Sequence, residues 1–311
     1  MRGASFALSG DQRLMKSGAN LQGANLDRAR LQGANLNGAL LQGASLDGAD
    51  LAGANLEFAQ LQGADLASAR LQGARLAAAS LEAADLNESD LRGAVFSGND
   101  LRGASFFGAQ LQGANLENSS ADGASFWSAF VWRSVPPAAK GRILVVDATL
   151  EPKTRCYPDT KRSNELCAWS DELLGYMAQD VGARILKGDS RDNAVALIMA
   201  APLDPANPPR MSDRWAEGWQ MLEESIPAFD KFFYLEARQW ARAGCDPAGG
   251  PYVIPALRRR MGLMGEKLMA YRAVAATFLN ARHCAGARGL GEKDKAELQR
   301  ILDNGMRAVR P

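Results

Sequence analysis

A period of five runs through more than a third of this chain and rules out most folds. Counting in steps of five from Leu21 to Val131 gives 23 positions, of which 21 are Leu or Phe; Ala121 and Val131 are the exceptions. Two residues earlier stands Ala in 20 of the 23, with Ser89, Asn99 and Ser119 departing. Five matches neither the 3.6-residue helical repeat nor the two-residue alternation of a strand, so the backbone must turn once per repeat. A bulky residue and a small one at this fixed offset can both face inward, which leaves the other three positions to solvent.

Stretches such as Ala24-Asn25-Leu26-Asp27-Arg28 and Ala64-Asp65-Leu66-Ala67-Ser68 resemble the A(D/N)LXX signature of the pentapeptide-repeat family. The resemblance spans about Gly18 to Arg133 and implies a right-handed quadrilateral β-helix with four pentapeptides per square coil. Leu21, Leu26, Leu31, Leu36, Leu66, Phe96, Phe106 and Phe126 are then expected in its core. Glycines such as Gly23, Gly33, Gly43 and Gly53 suit corners where a Cβ would clash. At about 4.8 Å per coil, some six coils make a rod about 28 Å long.

Residues 20 apart should stack on one face of such a rod. Arg30, Asp50, Arg70 and Asp90 alternate in sign at that spacing and predict a charge ladder, each exposed pair contributing about 0.2–1 kcal/mol. Gln22, Gln42 and Gln62 form a second ladder, and Phe107 falls one coil from Trp127. Phe126, Trp127, Phe130 and Trp132 gather ahead of Pro136-Pro137, where they are expected to seal the last coil against the following domain. A patch of Phe107, Trp127 and Trp132 that binds a partner is the alternative. At the other end Phe6 lies three repeats before Leu21 in the same frame, so residues 1–17 are expected to be an N-terminal cap or partial repeat.

Glycine thins out after Pro137, and helical patterns replace the period of five. Residues 136–150 read as a linker with a short strand at Ile143–Val146, and 151–311 as an α-helical domain. Helices are expected from Ser170 to about Leu186, from Ser190 and Ser212, after Pro227, and over Pro251–Met261, Glu266–Asn280 and Glu292–Arg307. Trp215, Trp219, Leu222, Phe229, Phe232, Phe233 and Trp240 form stripes expected to pack as core. The fold class is thus α+β in separate domains, a β-helix followed by a helical bundle with the rod at 18–135. The segments starting at Cys245 and Cys284, CDPAGGPYV and CAGARGL, resemble the helical tails of some proteobacterial pentapeptide-repeat proteins. That resemblance carries no known activity.

Catalytic chemistry finds little support. His283 is the sole histidine, and neighbouring Cys284 would sit about 100° away on a helix. Residues 262–267 (GLMGEK) and 289–293 (GLGEK) lack the spacing and the Ser/Thr of a phosphate-binding loop. Cys156, Cys167, Cys245 and Cys284 show no C-x-x-C pair, so no metal or cofactor is expected. A Cys245–Cys284 disulfide is sterically open, yet in a cytoplasmic protein free thiols are the expectation.

Residues 1–139 carry 10 Lys+Arg against 13 Asp+Glu, and residues 140–311 carry 26 against 22, so neither half has the basic excess of a nucleic-acid binder. No apolar run is long enough to span a bilayer, and the start lacks a secretory pattern. A cytoplasmic location is expected, with membrane association only if the chain is part of a longer one. The leading expectation is a non-enzymatic protein-interaction or scaffold module with a protein partner. Two alternatives stand beside it: a DNA-mimicking inhibitor or protector of a type II topoisomerase, and an enzymatic helical domain targeted by the rod. Mimicry needs sustained acidity, but residues 18–133 hold 12 acidic and 7 basic residues.

Overall fold

The computed structural model describes residues 18–131, 134, 135, 137, 153–155, 166–168, 178, 179, 182, 183, 185, 189–199, 229–263, 268–280 and 282–307. The expected strand at Ile143–Val146, the N-terminal segment 1–17, the helix from Ser212 and Trp132 lie outside these residues, as does most of the Ser170–Leu186 helix.

The repeat region winds in coils of 20 residues, four repeats to the coil. Parallel bridges join every fifth residue to the one 20 further on, from Asn20↔Leu40 through to Asn115↔Val135, without a slip. Each repeat spends its backbone donors in a fixed way. In the repeat around Leu66, the Leu66 N–H donates to Asp85 O at 2.7 Å in the next coil, and Asp65 N–H donates to Ala44 O at 2.9 Å in the previous one. Ala69 N–H closes the corner on Leu66 O at 3.1 Å. No strand longer than a single bridge is needed, because every turn is knitted to the turns above and below.

The Asn or Asp that precedes the central residue has its own job. Asn25, Asn35, Asn55, Asp65, Asp85 and Asn115 each accept, at Oδ1, the backbone N–H two residues on, over 2.9–3.2 Å. This side-chain turn holds the approach to the corner and explains why short carboxylate or amide side chains recur there. At the corners φ is positive, between 53° and 74°, whether the residue is Gly or, as at Arg28, Phe58, Ala78 and Glu88, not.

Leu and Ala fill the interior. Leu31, Leu36, Leu66, Phe96, Phe106 and Phe126 are buried, and the Phe106 and Phe126 rings stack at 4.7 Å and 5°. Leu21 and Leu26, in the first described coil, are partly buried and pack against this core. The three departures from Ala are also inward, and each is bonded. Ser89 Oγ donates to Leu86 O and Ser119 Oγ to Phe96 O, both at 2.6 Å, while Asn99 Oδ1 accepts the Ala79 N–H at 3.2 Å.

The C-terminal half opens with a two-stranded antiparallel ribbon that the sequence reading did not anticipate, β1 (Lys153–Arg155) paired with β2 (Leu166–Ala168). Helices follow: α1 (Asp189–Met199), α2 (Phe229–Cys245), α3 (Gly250–Leu263), α4 (Leu268–Leu279) and α5 (Glu292–Arg307), with a 3₁₀ turn at Ala285–Gly289. Helices α2, α3, α4 and α5 pack as a bundle, and Arg258 of α3 ion-pairs with Asp294 at 3.1 Å and with Glu297 on α5. Cys245 and Cys284 are joined by a disulfide that ties the end of α2 to the 3₁₀ turn, where free thiols were expected.

Candidate interaction surface

A square rod has four corner ridges, and in this protein they are not equivalent. The corners at positions 23, 33, 43 and onward in steps of ten lie on two diagonally opposite ridges; those at 28, 38, 48 and onward form the other two. On the first pair the corner residue is Gly at every position from 23 to 123 except Ala83. On the second pair it is Arg28, Gly38, Gly48, Phe58, Ser68, Ala78, Glu88, Gly98, Gly108, Asn118 and Ser128. The backbone conformation is the same on all four, so φ does not account for the difference.

Coverage does. The glycine-rich ridges are where described elements of the C-terminal half sit. An added Cβ at Gly43 would fall on the carbonyl oxygen of Tyr252 in α3, at Gly63 it would lie 2.7 Å from Val253 Cγ1, and at Gly103 2.7 Å from Gln239 Cβ of α2. On the diagonal ridge Gly53 meets the Ile185 side chain, and a Cβ at Gly93 would stand 2.9 Å from Ala194 O of α1. At Gly98, on an open ridge, nothing stands within 4 Å.

The two breaks in the pattern of the covered ridges carry the apolar seats. Ala83, in place of Gly, belongs to the same buried cluster as Trp240, Val253 and Phe278, so one rod residue is part of the bundle's own core. Ala52 stands where the other repeats of these ridges have a polar residue, and it packs with Ala178, Ile185 and Ala194. Trp240 is fully buried and donates its indole N–H to Gly103 O at 3.1 Å. Beside it Gln239 Nε2 donates to Asp122 Oδ2 at 3.2 Å.

The polar seam around this seat is short of donors. The Arg102 guanidinium is committed to Asp100, through Nε at 2.7 Å and through Nη2. Glu82, 8 % exposed, is left with Arg102 Nη2 and Arg242 Nε, each 3.6 Å from its Oε1, and with no hydrogen bond to that oxygen. Burial, together with the nearby Asp100 carboxylate, raises the Glu82 carboxyl from the ordinary 4.5 to about 7; Asp246 adds to the rise and Arg102 opposes it.

The open ridges hold what a partner would meet. Phe58 is 59 % exposed on one, and Phe107 is 42 % exposed on the other, edge-on to Trp127 with ring centroids 6.4 Å apart. Phe107 therefore faces outward, while Phe106 and Phe126 fill the interior. Asp27 and Asp47 lie on the ridge of Phe107, and Asp27 Oδ1 accepts from Ser45 Oγ at 2.6 Å.

The charge file Arg30, Asp50, Arg70, Asp90 does run through consecutive coils, bridge to bridge. Its side chains pair less regularly than the spacing implies. Arg70 Nη1 lies 3.8 Å from Asp50, whereas Asp90 takes Arg92 and accepts Gln72 Nε2 at 2.6 Å. Of the glutamines, Gln42 is buried beneath Gly249, and Gln62 donates to Gln60 Oε1 at 2.9 Å. Arg70→Asp should lower the melting temperature, by no more than about 1 kcal/mol in stability and more at low salt than at high. Asp50→Arg added to it should restore the loss; thermal melts at two ionic strengths read both effects, and no rescue in a folded rod would remove the ladder.

Elsewhere the chemistry is sparse. Among the described residues no group of three His, Cys, Asp or Glu side chains is placed to hold a metal ion. His283 is exposed, and its neighbour Cys284 is spent in the disulfide, so the two make no nucleophile pair. Among the described residues no helix is long and apolar enough to cross a membrane.

A family model for pentapeptide repeats matches eight copies within residues 19–130. These residues are a pentapeptide-repeat domain. Solved pentapeptide-repeat structures resemble the chain. Rfr23 from the cyanobacterium Cyanothece 51142 is 26% identical over 39% of this chain and 90% of its own, with a TM-score of 0.22. HetL from Nostoc sp. strain PCC 7120, a pentapeptide-repeat protein involved in heterocyst differentiation regulation, is 26% identical over 49% and 85%, with a TM-score of 0.18. QnrB1, a plasmid-mediated fluoroquinolone resistance protein, is 16% identical over 58% and 97%, with a TM-score of 0.27. Among curated proteins nothing matches. The pentapeptide-repeat domain thus ends close to where the bridges end, and the helical half that covers two of its ridges lies outside the matched region.

Proposed function

We propose that this pentapeptide-repeat protein is a non-enzymatic scaffold, in which the rod at 18–135 presents its two open ridges to a protein partner and the described helices of the C-terminal half form a second unit seated on the other two. The observation that carries this reading is the division of the ridges. Glycine is kept where the chain's own helices press on the rod, while the open corners vary in size and charge and expose Phe58 and Phe107. Rigid, regularly spaced positions on a knitted backbone suit recognition.

Cross-linking of the full chain followed by partner capture tests this. Phe58→Ser or Phe107→Ser should abolish capture of a partner that the unaltered chain retains, and the conservative Gln62→Asn on a covered ridge should not. Capture unaffected by either open-ridge change would refute the reading.

The DNA-mimic reading draws less support. A mimic needs a near-continuous negative stripe with both flanks free, whereas here two ridges are occupied and Arg75, Arg92 and Arg102 each pair with a carboxylate of the rod. The protein is accordingly expected neither to inhibit supercoiling by gyrase nor to protect gyrase from a quinolone at micromolar concentration. Inhibition that vanishes when Asp47, Asp65 and Asp85 become Asn would put mimicry first. The enzymatic reading draws less support still: among the described residues a shallow hollow is lined by Ala276, Leu279, Asn280, Arg282, Gln299 and Leu302, and this lining holds neither a nucleophile nor a paired carboxylate.

A further inference from the structure

We infer that the seam between the rod and α2 is a proton-operated latch: protonation of Glu82 tightens the seat of the helical half on the rod, and its ionisation loosens that seat. The inference starts from position. Glu82 belongs to the rod, on a covered ridge, immediately before Ala83, which is buried in the same cluster as Trp240 and Val253. Any carboxylate here is withdrawn from water only while the helices are seated.

Among the described residues, the groups that face Glu82 reach it at ion-pair distance but give its Oε1 no hydrogen bond. From the rod come Asp100 and Arg102 of the next coil, and Arg102 is already engaged by Asp100. From α2 comes Arg242, whose side chain is largely exposed and stops at 3.6 Å. Just past α2 stands Asp246, a further negative charge. Asp122, one coil beyond Arg102, is turned to Gln239. Among the described residues the seam therefore gathers Glu82, Asp100 and Asp246 against two guanidiniums at 3.6 Å from Glu82, one hydrogen-bonded to Asp100 and the other largely exposed. A buried carboxylate in this setting is held at the cost of its hydration, and a carboxylic acid is not.

The sign follows from linkage. The seated state holds the Glu82 proton up to about pH 7, while the freed carboxyl releases it near the ordinary 4.5. Seating is therefore strongest below about pH 4.5 and weakens as pH rises through the interval between the two values, with the loss complete above about 7. Full separation of these values corresponds to a change of up to about 300-fold in the seated-to-free ratio.

Hydrogen exchange on the full chain, corrected for the intrinsic pH dependence of amide exchange, reads the latch directly. The reporters are the Trp240 indole N–H and the α2 amides, with the Leu66 amide of the rod core as an internal reference. In the unaltered protein, protection at Trp240 should fall tens- to hundredfold between about pH 5 and about pH 8 while Leu66 stays protected. Glu82→Gln should hold the pH 5 level of protection across the range. Asp100→Asn, which frees Arg102 to pair with Glu82, should shrink the fall and supplies the test if Glu82→Gln does not fold. A fall of the unaltered size in either variant, or one matched at Leu66, would overturn the latch.

Discussion

Leu66→Asp is expected to cost about 3–5 kcal/mol, because it places a carboxylate in a fully buried position lined by Leu and Ala, with no cation or donor to compensate it. Every coil is bonded to the next, so the damage should spread along the stack rather than remain in one repeat. Gln62→Ala, one repeat earlier and outward, should change stability by less than about 1 kcal/mol. Denaturant titration of the two variants beside the unaltered chain decides the matter. Equal, small changes would show that the inward assignment is wrong.

Gly43→Ala against Gly98→Ala isolates the contact between rod and helices. Both glycines have positive φ, 63° and 71°, so the conformational cost of an alanine, about 1–2 kcal/mol, is common to the two. Only at Gly43 does the new methyl meet backbone, the Tyr252 carbonyl, which cannot rotate away as a side chain end would. Gly43→Ala should therefore lose about 1–3 kcal/mol more than Gly98→Ala, and it should increase protease access to α3. If the two variants melt together and α3 stays protected, the helices are not seated on that ridge in solution.

Much of the rod was legible because its rule is local. Each repeat carries its own inward pair and corner, so a count in fives places Leu66 or Phe106 without knowledge of anything distant. Helix α5 was legible for a similar reason, its first turn carrying Glu292 and Asp294 and its expected bounds agreeing with Glu292–Arg307. The β1–β2 ribbon was not legible, since three-residue strands leave no periodicity to detect.

The covered ridges are a different case. Their mark, glycine at every tenth position from Gly23 with Ala83 as the exception, is written in the sequence, but on its own it signals only corner sterics in general. Arg28, Phe58 and Glu88 at identical φ show that a corner accepts a side chain when nothing lies over it. What forbids the Cβ at Gly43 is a carbonyl some 200 residues away, and no window on the sequence contains both. Glu82 was missed likewise: an acidic residue on a rod surface is ordinary until Trp240 closes over the ridge beside it.

Alternate-corner seating also limits how this rod can change length. Insertion of one repeat would turn every later corner by a quarter of the coil, carrying residues such as Phe58 or Glu88 under the helices and glycines into solvent. Two repeats would exchange the diagonal ridges, setting the small seat at Ala52 and the one at Ala83 beneath each other's helices. Only a whole coil of 20 residues leaves each side chain facing its own direction. Even that moves the two seats apart along the axis if it falls between them. A lineage that lengthens this protein by duplicating repeats therefore has one step size open to it, and beyond either seat is where that step disturbs least.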